Sequence, residues 1–293
     1  MLLDELRSGR VLLMDGAMGT ELGRAGLQSG ECKEVWNLTR PELVRAIHES
    51  YVNAGARCLL TNTFQANPRV LQGHGLRDQM EKINQAAIEI ARAAGGPECF
   101  VLGDIGPLGD GASDNDISEL VGSFRGADAL LLETCSDRQD LDRVLSAVRR
   151  QSLANELPVL FSLTYRKYPD GKIATITGMA ADEAERDVSS VGIAALGVNC
   201  GRDIGMEDVV EIIRRYRSAT DLPLFARPNA GTPERVGGSW RYPHSPQAMA
   251  SHVPELLEAG IAMIGGCCGT SRDYIDAFRL RIEEWNSNTY PKR

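Results

Sequence analysis

Eight short apolar runs recur along this sequence, and segments with helical periodicity separate them. Each run is nearly continuous in its apolar residues, which is the pattern of parallel strands that are buried on both faces. Strand and helix that alternate eight times predict a closed (β/α)8 barrel, the TIM barrel of the α/β class. The runs occupy residues 11–18, 58–64, 100–107, 129–135, 158–165, 193–200, 222–231 and 261–270.

The helical segments complete the pattern of the barrel. Several of them run into a glycine, as helices commonly do at their C-terminal ends. An α/β barrel forms one unit of about 250 residues, so the chain is predicted to be a single domain, 1–293. A doubly wound open sheet is the main alternative, and the weakest unit is the third, which leaves room for only a short helix at 117–126. The other predicted helices occupy residues 41–54, 78–94, 137–150, 182–191, 206–218, 246–259 and 271–284.

Polar residues, glycines and thiols collect at the C-terminal ends of the predicted strands. In a (β/α)8 barrel these ends meet at one rim, and that rim carries the active site. The sequence therefore predicts a functional site built from several strand ends at once. These ends are residues 15–20 (DGAMGT), 61–64 (TNTF), 104–107 (DIGP), 133–135 (ETC), 198–200 (VNC), 228–231 (PNAG) and 265–270 (GGCCGT).

Four of the seven cysteines lie at these strand ends, and three of them form an arrangement that favours a metal site. An odd number of cysteines in a chain without an export signal argues against a disulfide framework. Cys200 ends the sixth run and the pair Cys267-Cys268 lies in the eighth, so the three side chains can converge over the barrel mouth. Three thiolates form a soft ligand set that favours zinc, and a catalytic zinc ion keeps one open position.

The alternative is that these cysteines are small core residues, which is the usual fate of a Cys-Cys pair. Adjacent strand residues point to opposite faces, so both thiols can share a metal only if the backbone turns sharply. The flanking Gly265, Gly266 and Gly269 are expected to provide that conformational freedom. His244 lies in a loop and is expected at the surface rather than at the metal. Four further cysteines are predicted to be core residues, with Cys135 the one that could line the pocket: Cys32, Cys58, Cys99 and Cys135.

Charge and hydropathy exclude several classes of function. The net charge of −8 argues against a nucleic acid or an anionic membrane as partner. No apolar stretch approaches the roughly 20 residues that span a bilayer, and the first ten residues lack the layout of a signal peptide. We therefore expect a cytoplasmic protein.

Three motifs together resemble the homocysteine S-methyltransferase family: MDGAMGTEL at 14–22, VNC at 198–200 and GGCCGT at 265–270. That family includes the homocysteine-binding module of cobalamin-dependent methionine synthase, betaine–homocysteine methyltransferase and S-methylmethionine–homocysteine methyltransferase. TNTF, DIGP and LET at 132–134 also match in order, so the resemblance covers about residues 10–284. It implies a (β/α)8 barrel, a catalytic zinc ion held by Cys200, Cys267 and Cys268, and methyl transfer to homocysteine. The segment between Pro107 and the fourth run is shorter than in the family.

Several residues are candidates for contacts to the acceptor. Glu133 is predicted to bind the ammonium group, with a structural ion pair as the alternative. The turn Asp15-Gly16-Ala17 is expected to offer backbone N–H groups to the carboxylate, with a turn-capping role as the alternative for the aspartate. Asn62 and Asn199 are candidates for residues that hydrogen-bond to the groups in contact with the ligand and so orient them.

Several methyl donors are compatible with the sequence. Residues 226–233 resemble the methionine-synthase type, so methylcobalamin on a separate corrinoid protein is the first candidate. S-methylmethionine, S-adenosylmethionine and betaine are the alternatives, and betaine would need an aromatic cage, for which Trp36, Tyr165 and Trp240 are the few candidates. Two other classes of function are a barrel lyase or aldolase with incidental cysteines, which needs a lysine or oxygen-ligand metal at a strand end, and a non-enzymatic partner of a corrinoid protein with structural zinc.

Overall fold

Eight parallel strands form a nearly closed barrel, as the alternation of strand and helix predicts. The computed structural model describes residues 1–109, 111–151, 157–188, 191–236 and 239–289. The eight barrel strands are numbered β1 to β8 in chain order, with their residue ranges at the end of this paragraph. They pair in the order β1-β8-β7-β6-β5-β4-β3-β2. A bridge between Met14 and Cys58 brings β1 next to β2, so the sheet is a TIM barrel and not an open doubly wound sheet. The barrel strands are β1 Leu12–Leu13, β2 Cys58–Leu60, β3 Phe100–Ile105, β4 Ala129–Cys135, β5 Val159–Leu163, β6 Ala195–Cys200, β7 Leu224–Pro228 and β8 Ile261–Ile264.

Helices pack around the strands, largely where the sequence predicts them. None of the described helices combines the length and the apolar character that a membrane span requires. Two short antiparallel hairpins, Arg166–Lys167 with Ile173–Ala174 and Glu234–Val236 with Ser239–Arg241, follow β5 and β7. The α-helices are α1 Leu2–Arg7, α2 Met18–Arg24, α3 Trp36–Thr39, α4 Pro41–Asn53, α5 Pro68–Gly73, α6 Met80–Gly95, α7 Asp114–Gly122, α8 Gln139–Arg150, α9 Ala181–Val188, α10 Met206–Ala219, α11 Pro246–Ala250, α12 Val253–Glu258 and α13 Arg272–Thr289.

The predicted bounds differ from the structure in several places. The predicted helix 246–259 is two helices, because Pro254 lacks an N–H and its ring clashes with the carbonyl of Ala250. The third unit does contain a helix, α7, which begins earlier than predicted because the Ser113 hydroxyl accepts from the Asp116 N–H. Helices α1, α2, α3 and α5 were not predicted. Helix α2 begins at Met18, the last residue of the first predicted run, and continues to Arg24. Positions 189–190 of the predicted helix 182–191 lie outside the described residues.

The barrel interior is apolar at its N-terminal end. Leu2 and Leu6 of α1 belong to the same buried cluster as strand residues such as Leu12, Leu60 and Phe225. Helix α1 therefore covers the end of the barrel where the strands begin. A ligand can then reach the interior only from the opposite end, where the strands finish.

Polar residues replace apolar ones toward the C-terminal end of the interior. Residues two apart on a strand point to the same face. Leu131 is followed by Glu133 on β4, and Phe225 by Arg227 on β7, so each strand presents an apolar side chain deep in the barrel and a charged one near its mouth. This alternation builds a polar layer below the rim.

A local irregularity in β4 fixes the position of Glu133. The pairing of β4 with β5 shifts between Leu132 and Cys135, and Thr134 adopts a φ of 64°, a rare conformation for a β-branched residue. Asn199 holds it there: its Oδ1 accepts from the Thr134 N–H at 2.9 Å and its Nδ2 donates to the Thr134 hydroxyl at 2.8 Å. The strained backbone thus persists because a buried amide from β6 compensates for it.

We predict that Asn199→Ala lowers the free energy of unfolding by about 2–4 kcal/mol, because it leaves buried donors without partners. The Asn199 Oδ1 also accepts from the Ser162 hydroxyl at 2.7 Å, so three hydrogen bonds disappear together. Urea unfolding of the protein in the presence of a metal chelator measures the change. Ser162→Ala is the matched control, since it removes only one of these bonds and should cost about 1 kcal/mol. Equal effects of the two variants would contradict this account of β4.

Candidate metal centre

Three thiols meet at the C-terminal rim of the barrel. Cys200 is the last residue of β6, and Cys267 and Cys268 follow the end of β8 after Gly265 and Gly266. Their Sγ atoms all lie within 4.8 Å of one another, and those of Cys267 and Cys268 are 4.0 Å apart. Four sulfurs around zinc at about 2.3 Å are separated by about 3.8 Å, so small side-chain movements suffice to share one ion. The predicted convergence of the three cysteines is confirmed, and the cluster fits a metal ion.

Hydrogen bonds to the end of the adjacent strand β7 hold the backbone of the pair Cys267-Cys268. The Cys267 N–H donates to the Pro228 carbonyl at 2.8 Å, and the Cys268 carbonyl accepts from the Ala230 N–H at 2.9 Å. The Thr270 hydroxyl donates to the Cys267 carbonyl at 2.7 Å and closes the turn. The end of β7 therefore positions two of the three thiols.

The glycines around the pair have two different roles. Gly269 has a φ of +84°, so it provides the predicted conformational freedom. The ring of Tyr242 packs against it. Gly265 and Gly266 do not adopt a left-handed backbone, and for them the prediction is wrong. A Cβ on Gly265 would lie 2.6 Å from the Asp15 carbonyl oxygen, and one on Gly266 would collide with the Thr270 side chain. These two glycines are required by close packing.

Cys200 sits on a strained backbone. Its φ is 55°, a left-handed conformation that residues other than glycine seldom adopt. The Nδ2 of Asn229 lies 3.5 Å from the Cys200 Sγ and donates to the Gly201 carbonyl at 3.1 Å. Asn229 thus joins β7 to the thiol of β6 and helps to aim it at the pair from β8.

The three thiols share their protons unequally. Hydrogen bonds from the Cys267 and Cys268 thiols lower the pKa of Cys200 to about 3. The same bond to the Cys200 sulfur raises the pKa of Cys267 to about 11, and the pKa of Cys268 is raised as well. The protein alone therefore stabilises one thiolate and two thiols. A divalent cation would supply the positive charge that three thiolates need.

The thiols open onto a cavity of about 990 Å³ at the barrel mouth. Its floor is the polar layer of the interior, with Asp15, Asp104, Glu133 and Arg227 among the lining residues. A cavity of this size with a few convergent polar groups suits a small-molecule ligand. The three thiols and the polar layer therefore belong to one site.

Arg227 ties the polar layer together. Its Nη1 donates to the Glu133 Oε2 at 2.6 Å and its Nη2 to the Asp15 Oδ1 at 3.0 Å. The other oxygen of Asp15 accepts from the Leu60 N–H at 2.8 Å. All three charged side chains are buried, so each depends on its partners to remain ionised. Glu133 therefore forms the ion pair that was its alternative role, while it also lines the cavity.

Burial dominates the pKa values of the acids. It raises the pKa of Asp15 and of Glu133 to about 7, although Arg227 opposes the shift. Burial and the nearby Glu133 raise the pKa of Asp104 well above its ordinary value. Burial lowers the pKa of Arg227, but the charges of Glu133 and Asp15 outweigh it and raise the value overall. The Oδ1 of Asp104 also has no hydrogen-bond partner among the described residues.

The turn at 15–17 lines the cavity but does not offer all its N–H groups. The Ala17 N–H already donates to Thr270, at 3.2 Å to its hydroxyl, and the Asp15 N–H donates to the Cys58 carbonyl at 3.0 Å. Their predicted role as donors to a ligand is therefore wrong. Among the hydrogen bonds of the described residues none uses the Gly16 N–H. A Cβ on Gly16 would lie 2.7 Å from the ring of Tyr51, so only glycine fits.

Asn62 and Asn199 lie behind the cavity wall and do not line it. The Asn62 Nδ2 donates to the Lys33 carbonyl at 2.9 Å and to the Asn37 Oδ1 at 3.0 Å. Asn62 thus holds the loop that carries Lys33, as Asn199 holds β4. Neither side chain is placed to contact a ligand in the cavity directly.

The remaining sequence candidates separate into core and surface. Cys32, Cys58, Cys99 and Cys135 are all buried, as predicted, and Cys135 does not line the cavity. Trp36 and Tyr165 are core residues, whereas Trp240 is 67% exposed and lines the cavity. His244 does not join the cluster of thiols.

Sequence reasoning did not assign Arg227, Asp104 or Lys33 to the cavity, although all three line it. Arg227 and Asp104 follow buried Phe225 and Leu102 by two positions, and strand alternation could have placed both in the interior. Lys33 lies in the loop before α3, where no periodicity indicates its position.

Comparison with known proteins places the chain in a family. The family model described as homocysteine S-methyltransferase matches residues 12–282. Methionine synthase from Mycobacterium leprae is 29% identical over 98% of this chain, and methionine synthase from Mycobacterium tuberculosis is 31% identical over 94%. The alignments span only 26% and 25% of those two proteins, so this chain corresponds to about a quarter of their length.

A solved structure supports the same assignment. The metallated form of the homocysteine methyltransferase MmuM from Escherichia coli superposes with a TM-score of 0.74 and 26% sequence identity. The superposition covers 92% of this chain and 96% of MmuM. The sequence match over nearly the whole barrel and the shared fold lead to one conclusion: this chain belongs to the homocysteine S-methyltransferase family.

Proposed function

We propose that the protein transfers a methyl group to the sulfur of homocysteine to give methionine, at a zinc ion held by Cys200, Cys267 and Cys268. The single observation that carries this proposal is the group of three thiols, within 4.8 Å of one another, that opens onto a cavity with a charged floor. Family membership supports homocysteine as acceptor. We also propose that residues 1–293 act as one homocysteine-binding unit.

The chemistry of the donor set fits zinc. A zinc ion held by Cys200, Cys267 and Cys268 would lower the pKa of a substrate thiol that bound to it, so that the sulfur would react as a thiolate. The chain aims its three sulfurs through Asn229, the Pro228 carbonyl and the turn at Thr270. Their geometry is therefore set before any substrate binds, which favours orientation of the reacting sulfur.

Glu133 is our proposal for the group that binds the substrate ammonium. Arg227 occupies one of its carboxylate oxygens, and the other makes no hydrogen bond within the described residues. Burial raises its pKa to about 7, so an ammonium group in the cavity would stabilise the ionised form. Asp15 is fully bonded to Arg227 and Leu60, and we assign it the role of holding Arg227 in place.

The hairpin after β7 shapes the mouth of the cavity. Trp240 and Arg241 of its second strand, and Tyr242 just beyond it, line the entrance above the thiols. Tyr242 packs against Gly269, next to Cys268. We propose that this wall limits the access of water to the bound thiolate, which strengthens its electrostatic interactions.

We propose methylcobalamin, presented by a separate corrinoid protein or domain, as the methyl donor. The similarity to two methionine synthases supports this choice. The described residues form one barrel, so the corrinoid would dock over the open mouth. Of the three aromatic candidates for a betaine cage, only Trp240 lines the cavity, whereas Trp36 and Tyr165 are core residues.

A barrel lyase is the weaker candidate. It needs a Schiff-base lysine or an oxygen-ligand metal site at a strand end, and none of the eight described barrel strands ends in lysine. The described residues hold no second group of three potential metal ligands. No observation favours this class over methyl transfer.

The proposed ligand set predicts the zinc content of two variants. Cys267→Ala should weaken zinc binding by more than about 100-fold, since even residues that only support a ligand contribute 10–100-fold. Competition with a chromophoric chelator measures the affinity, and metal analysis gives the zinc bound per chain. Cys99→Ala, which removes a buried thiol away from the cavity, is the matched control and should keep one zinc ion. One tightly bound zinc ion in Cys267→Ala would contradict the assignment.

The proposed reaction predicts methionine formation from homocysteine. We expect turnover of the zinc-loaded protein with methylcobalamin, measured against S-methylmethionine, S-adenosylmethionine and betaine in the same assay. Cys200→Ala should show none, because the nucleophile is then neither deprotonated nor positioned. Absence of methionine with every donor would overturn the proposed function, and turnover only with a sulfonium donor would overturn the choice of methylcobalamin.

The proposed role of Glu133 predicts that its substitution raises the KM only for acceptors that carry an amino group. Glu133→Gln should raise the KM for homocysteine by about 10- to 100-fold, because a charge-assisted hydrogen bond is lost. The KM for 4-mercaptobutanoate, which lacks the ammonium group, should change by less than about threefold. The exposed Glu49→Gln on α4 serves as control. An equal rise in the KM for both thiols would contradict this role and would mean that Glu133 only holds Arg227 in place.

A further inference from the structure

Lys33 reaches the cavity from a loop and not from a strand. It begins a short 3-10 turn, Lys33–Val35, and its carbonyl accepts from the Asn62 Nδ2 at 2.9 Å. Its side chain lines the same cavity as the thiols and is 23% exposed. A buried amide from the end of β2 thus fixes the backbone of a lysine at the edge of the polar layer.

The Lys33 ammonium group is poorly satisfied by the protein. Its Nζ lies 3.8 Å from the Glu34 Oε1 and 4.8 Å from the centroid of the Phe64 ring. It donates no hydrogen bond to a residue that the structure describes, although an ammonium carries three N–H donors. The Glu34 Oε1 already accepts from the Gln65 N–H at 2.9 Å. Lys33 therefore has donors available to a ligand.

The start of α2 lies beside this ammonium group. A Cβ placed on Gly19 would be 3.8 Å from the Lys33 Nζ, so the lysine packs against the backbone that follows the turn at 15–17. The Gly16 N–H of that turn makes no hydrogen bond with the described residues. Gly16 and Lys33 line the same cavity, so an anion bound there has a cation and a backbone donor among the lining residues.

The charges in the cavity are arranged for a zwitterion. Asp104 and Glu133 stand on β3 and β4, and Lys33 stands on the loop that faces them. Burial raises the pKa of both acids, and the positive charge of Lys33 opposes the shift in each, so the three groups face the same space. An amino acid carries an ammonium and a carboxylate on one carbon, and this cavity offers each of them a group of opposite charge.

We propose that Lys33 binds the α-carboxylate of the acceptor thiol and so makes the site selective for amino-acid thiols. This inference rests on the proposed function, which supplies homocysteine as the acceptor. Lysine pairs with carboxylates as a mobile point charge, so it can follow the substrate as its sulfur reaches the thiol cluster. Sulfonium amino acids used as donors also carry an α-carboxylate. We assign Lys33 to the acceptor because it lines the same cavity as Glu133, which we propose to bind the acceptor's ammonium.

The test measures the binding of three thiols to the zinc-loaded protein by calorimetry. Homocysteine carries both charged groups, 3-aminopropane-1-thiol lacks the carboxylate, and 4-mercaptobutanoate lacks the ammonium. Lys33→Met should weaken the binding of homocysteine and 4-mercaptobutanoate by about 10- to 100-fold, the effect of losing one charge-assisted hydrogen bond. The affinity for 3-aminopropane-1-thiol should change by less than about threefold. Lys33→Arg should recover most of the affinity for homocysteine.

Two controls separate this role from a structural one. Lys82→Met removes an exposed lysine on α6 and should leave all three affinities unchanged. Zinc content is measured for each variant, because a loss of metal would weaken all three thiols. Equal weakening of all three thiols with full zinc content would assign Lys33 a structural role and overturn the proposal.

Further outcomes distinguish the two proposals from each other. Wild-type protein that binds zinc but no homocysteine would overturn the proposed function and this inference together. Homocysteine binding that Lys33→Met retains in full would overturn this inference alone. In steady-state assays Lys33→Met should raise the KM for the acceptor and leave kcat nearly constant. A rise in the KM for a sulfonium donor instead would assign the lysine to the donor.

Discussion

The buried guanidinium of Arg227 is the interaction on which the polar half of this barrel depends. It links β7 to β1 through Asp15 and to β4 through Glu133, across the interior of the barrel. Two carboxylates in such a buried space would repel each other and lose their charges without a cation between them. The pKa values of about 7 for both acids show how closely burial and attraction are balanced there. Replacing Arg227 would change the charge of the whole cavity floor.

The same layer separates the two halves of the barrel interior. Below it, side chains such as Leu131 and Phe225 fill the space and α1 covers the end. Above it, charged groups and thiols surround a cavity that opens toward solvent. Because apolar burial stabilises the lower half, the upper half can hold strained and charged residues that contribute little to stability themselves. Cys200 and Thr134, both with a left-handed backbone, lie in this upper half.

Several strained or charged groups at the rim are held by partners from other strands. Asn199 on β6 holds Thr134 on β4, and Asn229 beyond β7 contacts the thiol of Cys200. The carbonyl of Pro228 on β7 receives the N–H of Cys267. The thiols therefore owe their proximity to hydrogen bonds between adjacent strand ends. A parallel barrel provides such contacts because all its strands finish at the same rim.

The sequence by itself determined the class of fold and the group of three thiols at the barrel rim. Eight apolar runs with helical segments between them are local patterns, and each can be recognised without its neighbours. The thiols of Cys200, Cys267 and Cys268 follow from their positions at strand ends, since the barrel brings all such ends together. The family motifs lie within the same strand ends and loops.

Only the tertiary structure decided how the polar residues are used. Asp15 and Arg227 are 212 positions apart and pair inside the barrel, while Ala17 and Thr270 are 253 apart and share a hydrogen bond that withdraws an expected donor. Lys33 enters the cavity from a loop with no periodic signal. A hydrogen bond or ion pair depends on ångström-scale distances between segments, and sequence patterns specify the local conformation of a segment but not its distance from another.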